Sequence, residues 1–66
     1  MMTTYNAVGI AEGFVQAQSE DEYIQAWQYL LDTGYVWQLQ GSFGRTAMQM
    51  IEAGILTWNN PPYETN

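Results

Sequence analysis

One cation stands in the stretch QLQGSFGRTAM, residues 38–48. It is Arg45, the sole basic side chain in a chain that carries seven carboxylates. Other side chains able to do chemistry are scarce. There is no histidine and no cysteine, so no imidazole base, no thiolate nucleophile and no imidazole or thiolate metal ligand. Ser42 and Thr46 flank Arg45, but neither has a histidine or lysine to activate it. GSFGR lacks the spacing and the lysine of a phosphate-binding loop. The acidic run Glu20-Asp21-Glu22 lacks the alternating ligands and glycine of a calcium loop. Paired carboxylates for glycoside hydrolysis exist arithmetically, but so short a chain has little room for a cleft. No catalytic residue, metal site or cofactor is therefore expected.

The elements that would carry these groups read as helices. Ser19 is a good N-cap and Glu22 stands three residues on, a capping box. Tyr23, Trp27, Leu30 and Leu31 follow at helical spacing, with Gln25, Gln28 and Asp32 mostly elsewhere on the wheel. Gly34 fits the left-handed position that ends a helix. The prediction is a helix over 20–33. A shorter, weaker helix is predicted near 5–13, with Ala7, Ile10, Ala11 and Phe14 on one face; Gly9 and Gly13 cost it about 1 kcal/mol each. A third helix is predicted over 43–53, capped by Ser42 and stopped by Gly54, with Phe43, Ala47, Met50 and Ile51 as its apolar face.

Residues 35–39 read as a turn or 3₁₀ segment slightly ahead of a short strand. The fold class is thus all-α, a small three-helix domain with room for a short two-stranded β element. Residues 1–58 form a single acidic helical domain. Pro61 and Pro62 favour extended geometry, so 59–66 is expected to be a flexible C-terminal tail.

The acids in the first turn of the second helix suit its dipole, which does not preclude their use as a contact surface. Arg45 would fall near the third position of its helix, where the dipole disfavours a cation. It is expected to be a structural clamp, with Asp32, Glu12 or open helix C-terminal carbonyls as partners. Trp27 and Trp37 are expected in the core and Trp58 half exposed, as an interface anchor.

Composition narrows the partners. The formal net charge is -6, the wrong sign for binding phosphates directly or for an anionic membrane surface. It suits a protein with a basic groove. Three Trp, five Tyr and two Phe in 66 residues with no disulfide make a homodimer an open alternative, because so small a body leaves apolar surface over. No stretch reads as a signal peptide or approaches the roughly 20 apolar residues of a membrane helix, so a cytoplasmic location is expected.

Residues 30–54, LLDTGYVWQLQGSFGRTAMQMIEAG, resemble a group of small bacteriophage proteins of unknown function. Their pattern runs L-[IL]-D-[ST]-G-x-x-W-x-L-Q-G-x-[FY]-G-R-T-A-x-x-[LM]-I-E-A-G. Leu30 to Gly34 meet its first part, Trp37, Leu39, Gln40 and Gly41 its middle, and Phe43 to Ala47 with Met50 to Gly54 its end. Tyr35 stands where an aliphatic residue is the rule. The resemblance implies a phage origin and says nothing of catalysis. Phages encode many small acidic proteins that disable a host protein, some by imitating the charge of DNA. By that analogy the expected function is an anti-CRISPR-like inhibitor of a host defence or nucleic-acid-binding protein, acting in the host cytoplasm. Its contact residues would be Glu12, Glu20, Asp21, Glu22, Asp32 and Trp58. The competing reading is a self-associating phage accessory protein.

Overall fold

The structure is a computed structural model and describes residues 2–59. It contains three helices, α1 (Thr4–Glu12), α2 (Glu20–Thr33) and α3 (Gly41–Glu52), with a 3₁₀ turn at Tyr35–Gln38 between the last two. No strand occurs among the described residues, so the short β element is absent and residues 35–38 take the helical alternative.

α2 follows its local signals to the residue. The Ser19 hydroxyl accepts the Glu22 N–H at 3.1 Å, and the Glu22 carboxylate accepts the Gln18 N–H at 2.6 Å. The reciprocal cap thus reaches one residue further back than the usual box. Gly34 ends the helix at φ 79°, a conformation other residues adopt only with strain. α3 departs from expectation at its start. It begins at Gly41 rather than Phe43, because the Phe43 N–H already bonds the Gln40 carbonyl at 2.9 Å. Ser42 lies inside the helix, and Gln40 caps it without a side-chain hydrogen bond.

α1 and α2 form an antiparallel hairpin. The hydroxyls of Thr4, at the start of α1, and Tyr29, in the second half of α2, are 3.0 Å apart. Their shared seam buries Ala7 and Ile10 from α1 and Ala26, Trp27, Leu30 and Leu31 from α2. The 3₁₀ turn adds Val36, α3 adds Ala47 and the following segment adds Leu56. Full burial of a Leu or Val side chain stabilises by about 1.5–3 kcal/mol, and these residues make up the core. Phe43 carries α3 onto it, its ring 5.9 Å from that of Trp27.

After α3 the chain turns back over α2. Gln28 holds it there: its amide donates to the Thr57 carbonyl at 2.7 Å and accepts the Thr57 N–H at 3.0 Å. The same amide nitrogen lies 2.9 Å from Asp32 Oδ1, which also accepts from the Asn59 amide at 3.2 Å. Asn59, the first residue of the expected tail, thus meets α2 through its side chain; the rest of that tail lies outside the described residues. No helix among those residues is long and apolar enough to cross a membrane.

Candidate functional site

Two features stand at opposite ends of the hairpin. At the first end, antiparallel packing returns Glu12, the last residue of α1, to the side where α2 starts. Glu12, Glu20 and Asp21 are exposed and make no side-chain hydrogen bond among the described residues. Glu22 is half-buried and occupied by its cap. Asp32 does not join them. It lies about 18 Å along α2 from Glu20, at a rise of about 1.5 Å per residue, and there it anchors the C-terminal segment.

The same end carries a residue that sequence periodicity misplaced. Phe14 is not on the apolar face of α1; it is 84% exposed. The helix ends earlier, with Gly13 at φ 90°. The N–H groups of Phe14 and Val15 both bond the Gly9 carbonyl, at 2.8 and 3.0 Å. Val15 folds back over Gly9 so closely that a Cβ there would stand 2.6 Å from Val15 Cγ2. The turn is thus held by its backbone while the Phe14 ring points away from the core. The sequence did carry one signal for this: Gly13 is a helix stop directly before Phe14.

At the other end lies a shallow groove of about 230 Å³ between the 3₁₀ turn and α3. Val36, Trp37, Leu39 and Met48 form its apolar walls, with Gly41 and Gly44 between them. Gln40 and Arg45 supply its polar edge. Gly44 lets the Trp37 ring approach the α3 backbone; a Cβ would stand 3.2 Å from Trp37 Cε3. Trp37, expected in the core, is 37% exposed. Trp58 is half-buried, with its ring 5.6 Å from that of Trp37. The two indoles share the position, and Trp37 is the one open to solvent.

Arg45 is exposed. It sits one turn inside α3, and its Nη1 lies 3.6 Å from where a Gly41 Cβ would be. No carboxylate among the described residues forms an ion pair with it. The clamp expected from the sequence is thus not formed by Asp32, which serves Gln28 and Asn59, nor by Glu12, at the far end of the hairpin. Among the described residues no group of histidine, cysteine or carboxylate side chains is placed to hold a metal ion.

Fold and surface define a small all-α domain with a charged aromatic tip at one end and an apolar groove with a single cation at the other. The chain belongs to a domain family of unknown function, DUF7417, which matches residues 14–64. The matched span opens on Phe14 and takes in α2, the 3₁₀ turn and α3, while α1 precedes it. No curated protein and no solved structure matches the chain.

Proposed function

We propose that this domain acts by binding, as a phage-encoded inhibitor that presents its acidic end to the basic groove of a host nucleic-acid-binding or defence protein in the host cytoplasm. One observation carries the reading: Glu12, Glu20 and Asp21 are exposed at the same end of the hairpin as an 84% exposed Phe14 on a turn held by its backbone. A large exposed aromatic side chain can anchor a protein interface once a partner's pocket desolvates it. The phage resemblance supplies the setting, and no cofactor, metal, membrane or direct nucleic-acid contact is part of the proposal.

The charge count limits the mimicry. Duplex DNA carries one negative charge per roughly 1.7 Å of axis, so these three carboxylates copy about 5 Å of it. Charge therefore steers the encounter and Phe14 contributes the short-range affinity. The test is titration of the domain into a DNA-binding host protein at low and high salt. The double variant Glu20→Lys/Asp21→Lys should weaken binding sharply with the fold intact, and the partner's DNA should compete. Binding that survives both the charge reversal and high salt refutes the reading.

A further inference from the structure

The tip and the groove are complementary to each other. We infer that the domain self-associates head to tail, with Phe14 of one copy seated in the Trp37–Arg45 groove of a second and Glu12 of the first on the second copy's guanidinium. The groove holds about 230 Å³, below the roughly 300–1,000 Å³ of small-molecule sites. It suits a single large side chain. Its apolar walls call for an apolar group, and its one guanidinium calls for a carboxylate close beside that group. The chain supplies this pair within three residues, Glu12 and Phe14 around the turn glycine Gly13.

A copy cannot fill its own groove. Trp37 follows the C-terminal end of α2 and Phe14 precedes its N-terminal end, so the 14 residues of α2 hold them about 20 Å apart. The occupant comes from another copy. Because tip and groove are different surfaces, each contact leaves one of each unused, and assembly proceeds to a ring or an open chain. This inference goes beyond the proposed inhibitor role but bears on it: self-association covers the acidic end, so a second copy and a basic partner compete for it.

Sedimentation velocity from micromolar to millimolar protein tests it, with circular dichroism as the fold control. The wild type should show larger species as concentration rises. Phe14→Ala and Arg45→Glu should each weaken self-association on the order of 30-fold, as loss of a hot-spot contact does. The first keeps its groove and the second keeps its tip, so mixing the two should give a one-to-one dimer that grows no further. Adding Glu12→Arg to Arg45→Glu should restore assembly. Wild type that stays monomeric overturns the inference, as does a mixture of the two variants that stays monomeric. A monomeric wild type whose tryptophan emission responds to an acidic aromatic peptide, while that of Trp37→Phe does not, also overturns it and assigns the groove to another protein. Arg45→Glu leaves the acidic end intact and should retain binding to a basic partner, so this inference and the inhibitor role can fail separately.

Discussion

Gln28→Ala should loosen the C-terminal segment and lower the melting temperature of the whole domain. The wild-type amide makes two hydrogen bonds to the backbone of Thr57, at 2.7 and 3.0 Å. Each such bond contributes a net of about 0.5–1.5 kcal/mol. Thr57 is exposed, so its N–H and C=O rehydrate when the amide is removed, which places the expected loss at about 1–2 kcal/mol. A domain of this length has a total stability of roughly 3–10 kcal/mol, so the fraction lost is large. At about 4–8 °C per kcal/mol for small domains, the midpoint should fall by roughly 4–16 °C. The residue released with Thr57 is its neighbour Leu56, which is fully packed in the core. Trp58 moves with them and leaves Trp37, so tryptophan emission should shift to the red. Gln28→Glu keeps the length but replaces the donor with a charge facing Asp32 and the Thr57 carbonyl, and it should fall at least as far. Thermal melts followed by circular dichroism and by fluorescence decide the matter. A Gln28→Ala protein with both midpoint and emission of the wild type would refute the clamp.

Ser19→Ala removes the hydroxyl that accepts the Glu22 N–H and should cost about 1 kcal/mol, read as a lower midpoint in urea. Arg45→Ala should change stability by no more than about 0.5 kcal/mol, as for other surface substitutions, since no ion pair among the described residues is broken; a loss beyond about 1 kcal/mol would return Arg45 to a clamp. Gly44→Ala should gain up to about 1 kcal/mol of helix propensity while displacing the Trp37 ring, for which a Cβ would be too close at 3.2 Å. The half-open ring has room to tilt, so the net change should stay within about 1 kcal/mol while the tryptophan emission shifts.

The sequence alone determined the helical class and the bounds of α2. Its signals there are local: a hydroxyl bonds an N–H three residues on, and a glycine adopts a left-handed φ. At residues 35–39 the sequence favours a turn or 3₁₀ segment only slightly over a short strand, and the structure forms a 3₁₀ turn at Tyr35–Gln38. The start of α3 did not follow from its signals, because Ser42 offers a cap that the backbone does not need once Phe43 bonds Gln40. What only the tertiary structure decided is where long side chains end up. Gln28 reads as a solvent-facing helix residue until the chain returns from α3 and sets Thr57 beside it. Trp37 and Trp58 are the same residue type, and only their mutual packing settles which is covered. Phe14 fits the apolar period of α1, yet the helix stops two residues before it. Arg45 has an anionic chain around it in composition and no carboxylate partner among the described residues. Composition counts charges, whereas ion pairs need side chains within about 4 Å, and it is the antiparallel hairpin that carries Glu12, Glu20 and Asp21 to one end and leaves Arg45 at the other.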